Sequence, residues 1–212
     1  MSLPAAELAA ALQDRLRQSL PGAAAMLPWS PQLAYGRHFS PPPYNARHSA
    51  VAVLIYPQAG EWCVPLTLRP ATLSHHASQI SLPGGSLEAS ETPEAGAWRE
   101  LEEELGIHRD ALEPLGRLTP LYIFASNFYV VPCVALARQT PTFRPSPDEV
   151  EAVLQLPLAS SPLSEPRDSM WVERGRLRFR APCCQVTGQR LWGASAMILA
   201  ELAAVYRTAL AR

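Results

Sequence analysis

The chain has 212 residues, 48% of them hydrophobic and 17% charged, with a formal net charge of −1. That length suffices for one domain with an appendage and a sizeable core. The near-neutral balance argues against a general electrostatic nucleic-acid binder, which is usually basic, so no nucleic-acid partner is expected.

Residues 4–20 carry Leu8, Leu12, Leu16 and Leu20 at four-residue spacing, which predicts an amphipathic helix ended by Pro21-Gly22. Its expected role is packing on the domain or on a second copy in a homodimer. Residues 21–46, with Pro41-Pro42-Pro43 at their centre, read as an extended connector with little regular structure. The division expected is therefore 1–45, a helix and connector, and 46–212, the functional domain.

Ala50 to Tyr56 is a continuous apolar run, as in a buried strand, and Trp62 to Arg69 reads as its hairpin partner across Pro57–Gly60. A loop holding His75 and His76 leads to Gln79–Leu82 and then Pro83-Gly84-Gly85; both histidines read as loop-satisfying residues. Further strands are predicted over Leu115–Leu121, Phe128–Ala137, Val150–Leu156 and Trp171–Phe179, with a closing helix over Ala194–Arg207. In the last strand Arg174, Arg176, Arg178 and Arg180 alternate with other residues, which predicts four guanidiniums on one sheet face. Strands flanking one central helix with a second helix at the end give an α/β count.

All 18 basic residues are Arg, which with 22 prolines reads as compositional bias rather than phosphate recognition. Cys63, Cys133, Cys183 and Cys184 lack CxxC spacing and read as reduced thiols. No leader pattern and no apolar run of about 18 residues stands out, so a soluble cytoplasmic protein without membrane attachment is expected.

The most informative segment is Gly85 to Ile107. Thr92-Pro93 is a helix start, with a side-chain oxygen for the cap and then a residue of preset φ. Glu94 favours the first turn, and Gly106 offers a left-handed stop. The helix predicted over 93–105 puts Glu100, Glu103 and Glu104 on one face of its last two turns. Carboxylates so placed repel one another, and the helix C-terminus adds to the penalty. A hard divalent cation reverses that, and an oxygen-only donor set suits Mg2+ or Mn2+.

Gly85, Glu91, Arg99, Glu100, Leu101, Glu103, Glu104, Gly106 and Ile107 fill every fixed position of G-x5-E-x7-R-E-U-x-E-E-x-G-U, where U is aliphatic. On those nine positions the chain resembles the Nudix hydrolases, which cleave diphosphate linkages in nucleoside diphosphate derivatives. The resemblance implies an α/β/α sandwich around a mixed sheet and a metal-dependent attack of water on phosphorus. It implies Glu100 and Glu104 as main metal ligands, Glu103 as ligand or base, and Glu91 as a water-mediated metal contact or the partner of Arg99. Glu149 is a second candidate base, and Arg99 is expected to hold a carboxylate in place.

Outside that segment, Leu66, Thr67, Arg69, Pro83, Gly84 and Gly85 match L-L-T-x-R-[S/A]-x3-R-x3-G-x3-F-P-G-G, the stretch preceding the box in the coenzyme A pyrophosphatase branch. Asp148-Glu149-Val150, Leu156-Pro157-Leu158 and Leu191–Ala196 resemble that branch downstream. Pro65, Pro70, Ser74, Ser78 and Leu82 depart from it; Ser74 replaces an Arg and with it one bidentate anion contact. The branch implies cleavage of coenzyme A or its derivatives, a small-molecule nucleotide substrate, with Arg69, Gly84 and Gly85 at that substrate. Other nucleoside diphosphate derivatives (ADP-ribose, NADH, a nucleotide sugar), capped RNA ends, or a silent sensor are the rival readings.

Overall fold

The computed structural model describes residues 3–34, 37–71 and 79–211, with backbone alone for Arg174. The described residues form four α-helices: α1 (Ala5–Leu16), α2 (Ala23–Met26), α3 (Pro93–Leu105) and α4 (Gly193–Leu210). The strands are β1 (Arg47–Gln58), β2 (Glu61–Leu68), β3 (Ile80–Ser81), β4 (Gly84–Ser86), β5 (Glu113–Arg117), β6 (Leu121–Ile123), β7 (Phe128–Leu136), β8 (Ala152–Pro157), β9 (Asp168–Arg174), β10 (Leu177–Val186) and β11 (Gln189–Trp192).

The main sheet follows the order β3-β2-β1-β7-β5, with β4 added to β1, β6 to β7 and β8 to β2. β1 and β7 run parallel from Arg47↔Phe128 to Ile55↔Leu136, and the other pairs are antiparallel, so the sheet is mixed. β1 shows why its sequence is an unbroken apolar run. Ala50, Ala52, Leu54 and Tyr56 face α3, where they meet Ala97, Trp98, Leu101 and Leu105. Val53 and Ile55 face the opposite layer, formed by α1 and α4. A strand covered on both faces has no polar side to alternate with. The architecture is the α/β/α sandwich expected from the sequence.

α4 is 18 residues long, with a mean hydropathy of 1.2 that would suffice for a membrane span, but 61% of it is buried here as a core helix. Glu201 in its middle is fully buried. It accepts the Gly22 N–H at 2.7 Å, the Thr119 N–H at 2.9 Å and the Thr119 hydroxyl at 2.6 Å, so both of its oxygens are hydrogen-bonded. One carboxylate thus ties the N-terminal segment to the loop between β5 and β6.

Three expectations are corrected. The segment after Pro21 is not an extended connector: it carries α2 and single 3-10 turns at Leu27–Trp29, Gln32–Ala34 and Arg37–Phe39. Met26 and Trp29 in it are fully buried, and burial of such side chains outweighs the extended preference of a Pro-rich stretch. Leu115–Leu121 is two strands, β5 and β6; Thr119 and Pro120 fall between them, and proline offers no N–H for a ladder. Trp171–Phe179 is a hairpin, because Gly175 takes φ +59° and turns the chain between β9 and β10. The four-arginine face therefore does not exist: Arg176 lies in the turn, and only Arg178 and Arg180 share β10.

Candidate active site

The acidic helix forms as its sequence dictates. The Thr92 hydroxyl oxygen accepts the Ala95 N–H at 3.2 Å, Pro93 opens the first turn, and Gly106 ends α3 at φ +68°. The loop 144–150 then satisfies the last carbonyls: the Arg144 N–H donates to Leu105 O at 2.8 Å and the Ser146 N–H to Glu104 O at 2.9 Å. That docking brings the turn carrying Glu149 against the acidic end of the helix.

The carboxylates on α3 sit in different surroundings. Glu103 is exposed, whereas Glu104 is only 3% exposed. Glu104 Oε1 accepts the Gly84 N–H at 3.1 Å, and its Oε2 is buried without a hydrogen-bond partner. Burial pushes the Glu104 carboxyl up to about 7; repulsion from Glu100 and Glu149 adds to this, while the Gly84 N–H and the nearby Arg69 oppose it. Burial likewise raises Glu100, with Glu103 and Glu149 contributing repulsion and Arg99 opposing.

Arg99 organises the remainder. Its Nε and one terminal nitrogen donate to the two Glu91 oxygens at 3.0 and 3.2 Å, a bidentate pair. Its other terminal nitrogen reaches Glu100 Oε1 at 3.0 Å and Glu103 Oε2 at 2.9 Å. A bond to Ser86 O at 3.1 Å anchors the same guanidinium to the end of β4. The hydrogen bond from Arg99 holds Glu91 below the usual carboxylate range. Arg99 is thus a clamp that fixes three carboxylates at once.

Gly84 and Gly85 supply the close approach. A Cβ on Gly84 would stand 2.7 Å from Val51 Cα in the neighbouring strand. A Cβ on Gly85 would overlap the Glu100 carboxylate, so the absent side chain is what lets Glu100 lie against the sheet edge.

Among the described residues no three acidic, histidine or cysteine side chains already form a metal cage. The donor chemistry nevertheless fits a hard cation. An orphaned, buried carboxylate oxygen on Glu104 stands in a set with Glu100 and Glu149, whose mutual repulsion a divalent ion would relieve.

Beside this cluster opens a cleft of about 400 Å3, lined by Gly84 and Arg69 and walled mainly by apolar side chains. Arg69 follows β2, and its N–H donates to Gln79 O at 3.1 Å; its Nε is buried without a hydrogen-bond partner. The N-terminus of α4 also reaches the cleft: Trp192, Gly193 and Ser195 line it, and the Ser195 hydroxyl accepts the Leu82 N–H at 3.3 Å. Ser74, His75, His76 and Ser78 lie outside the described residues.

Sequence reasoning missed most of the cleft. Pro31, Leu33, Ala34 and His38 come from the segment read as a connector, and Phe179 from the hairpin read as one strand. Nothing in the spacing of those residues points to a site. The four cysteines are all buried and free.

Known proteins resemble this chain over much of its length. The NUDIX domain model matches residues 46–174. A protein named "Uncharacterized Nudix hydrolase NudL" from Yersinia enterocolitica is 32% identical over 160 residues, 75% of this chain and 81% of that one. Its namesake from Salmonella paratyphi B is 33% identical over 162 residues, 75% and 82% of the two chains. Among solved structures, a Nudix hydrolase from M. smegmatis, RenU, superposes with a TM-score of 0.47 at 22% identity, over 54% of this chain and 72% of that one. With its box complete and its carboxylates gathered at one end of α3, the chain belongs to the Nudix hydrolases, enzymes that generally use divalent metal ions.

Proposed function

We propose that this enzyme hydrolyses the diphosphate of coenzyme A or its derivatives to 3′,5′-ADP and the 4′-phosphopantetheine half, with Mg2+ or Mn2+ as the cofactor. The observation that carries the reading is the mainly apolar cleft that Arg69 and Gly84 line, with the Gly84 N–H bonded to the Glu104 carboxylate. A diphosphate bound beside Arg69 would leave the apolar part of the cleft for a long, uncharged arm. The partial upstream signature with Arg69, and the Asp148-Glu149-Val150 and Trp192-Gly193 segments, support the same substrate.

Glu100 and Glu104 would hold the cation, with Glu103 beside them and Glu91 behind Arg99. The ion would neutralise charge on the phosphoryl oxygens and lower the pKa of a water bound to it. Arg69 would take an anionic oxygen of the diphosphate. Glu103 or Glu149, both exposed carboxylates, would accept the proton of the attacking water, and parallel Gln variants separate them.

The test is a ranking of kcat/KM across coenzyme A, acyl-coenzyme A, ADP-ribose, NADH and dinucleoside polyphosphates. Coenzyme A or an acyl derivative is expected to lead. A clear lead for ADP-ribose or a nucleotide sugar would contradict the substrate assignment and leave the diphosphate chemistry intact.

A further inference from the structure

Three separate parts of the chain meet in an apolar plate at the cleft. Leu33, in the 3-10 turn Gln32–Ala34, and Trp192, at the end of β11, pack against one small core of Val172, Phe179 and Ala181. Leu33, Phe179 and Trp192 all line the cleft, and Leu33 and Trp192 are partly exposed. The turn that carries Leu33 is held in place: Gln32 Oε1 accepts the Arg180 N–H at 3.3 Å, and Ala34 is buried.

Short connections link this plate to the catalytic edge of the sheet. Just after Trp192, the Ser195 hydroxyl accepts the Leu82 N–H at 3.3 Å. Just after Leu82, the Gly84 N–H donates to Glu104 at 3.1 Å. The plate residues lie outside the matched stretch 46–174, whereas Arg69, Gly84 and the box carboxylates lie inside it. The parts of the chain that build the plate are therefore not the parts that supply the acidic helix.

Leu33 and Phe179 present hydrocarbon alone, and Arg69 is the one charged residue among the described residues that line the cleft. Such a surface gains by covering methyl and methylene groups, and it leaves a hydroxyl pressed against it without a partner. The two halves of coenzyme A differ in this respect. The pantetheine half carries a dimethyl-substituted carbon and pairs of methylenes, while the other half is a phosphorylated sugar and a base.

We infer that Leu33 is a specificity residue, which with Phe179 and Trp192 seats the aliphatic part of the pantetheine half. The inference rests on the substrate reading above.

Two variants and the two product halves test it. Leu33→Asn puts a polar group of similar size on the plate, and Leu33→Met keeps it apolar at similar volume. Leu33→Asn is expected to lower kcat/KM for coenzyme A at least about tenfold, through KM rather than kcat. It should raise the inhibition constant of 4′-phosphopantetheine by about the same factor and leave that of 3′,5′-ADP within about twofold. Leu33→Met should stay within about threefold of the wild type in every constant. Should Leu33→Asn fail to fold, Leu33→Ala takes its place and is read in the same way. An unchanged KM would overturn the inference. So would equal rises for both product halves, which make the turn a mere support of the cleft, or a rise for 3′,5′-ADP alone, which places the adenosine half on the plate. A loss in Leu33→Met as large as in Leu33→Asn would also overturn it. A wild-type enzyme that leaves coenzyme A intact defeats the substrate reading and this inference with it; hydrolysis with unaltered constants in Leu33→Asn defeats the inference alone.

Discussion

Gly85 and Glu100 compete for one space: a Cβ on Gly85 would stand 2.6 Å from Glu100 Cδ and 2.8 Å from its Oε2. The far end of a glutamate moves at little cost, so Gly85→Ala is expected to lower stability by only about 1 kcal/mol. Activity should suffer more, because the displaced carboxylate no longer meets its partners. A fall in kcat of about 10²-fold and a weaker Mg2+ dependence are expected, read by metal titration of the activity. Wild-type kinetics in this variant would remove Glu100 from the site.

Glu104 sets stability against function. Its carboxyl is raised to about 7 from a usual value near 4.5, so the folded state prefers the protonated form. Stability from this group is complete below about pH 4.5 and declines as pH rises through 7. Glu104→Gln keeps an acceptor for the Gly84 N–H and removes the buried charge. In EDTA at pH 8 the variant should be about 1–3 kcal/mol more stable than the wild type, and at pH 4.5 little different. Its kcat should fall by at least about 10²-fold. Denaturant titration at the two pH values is the measurement, and a destabilised variant at pH 8 would refute the account of Glu104.

The pKa of His38 is displaced downward from its ordinary 6.5. Its neutral form contributes stability that is present above pH 6.5 and lost as pH falls through the folded-state value. Comparison with His38→Phe cancels the other titrating groups. Between pH 7 and 5 the melting temperature of the wild type should drop further than that of the variant. Parallel curves would mean that His38 titrates normally.

Arg69 has its Nε buried without a hydrogen-bond partner at the cleft and acts on Glu104 as a nearby positive charge. Arg69→Ala should weaken kcat/KM by about 1.5–3 kcal/mol, the range for a charge-assisted hydrogen bond. A larger loss on coenzyme A than on dephospho-coenzyme A would put the guanidinium at the 3′-phosphate, and equal losses would put it at the diphosphate. No loss on either substrate would make its role structural.

The catalytic helix was legible because its signals are local. Thr92, Pro93 and Gly106 mark the ends of α3, and the register of Glu100, Glu103 and Glu104 follows from helical geometry alone. The pairing of Arg99 with Glu91 was also readable, from their places in the box. The cleft was not legible, because its walls come from segments far apart in the chain. Met26 and Trp29 bury themselves among α4 and the sheet, a tertiary gain that local proline content hides. Gly175 was read inside a strand, although a lone glycine there equally marks a turn. With that turn missed, Phe179 could not be placed at the cleft nor Arg176 at its hairpin tip.

The most direct test of the account is mass spectrometry of coenzyme A incubated with the purified enzyme, with Mg2+ and with EDTA. Metal-dependent release of 3′,5′-ADP together with 4′-phosphopantetheine is predicted, abolished by EDTA and reduced at least about 10²-fold in Glu103→Gln. Intact coenzyme A in the presence of Mg2+ or Mn2+, or undiminished hydrolysis in EDTA, would contradict it.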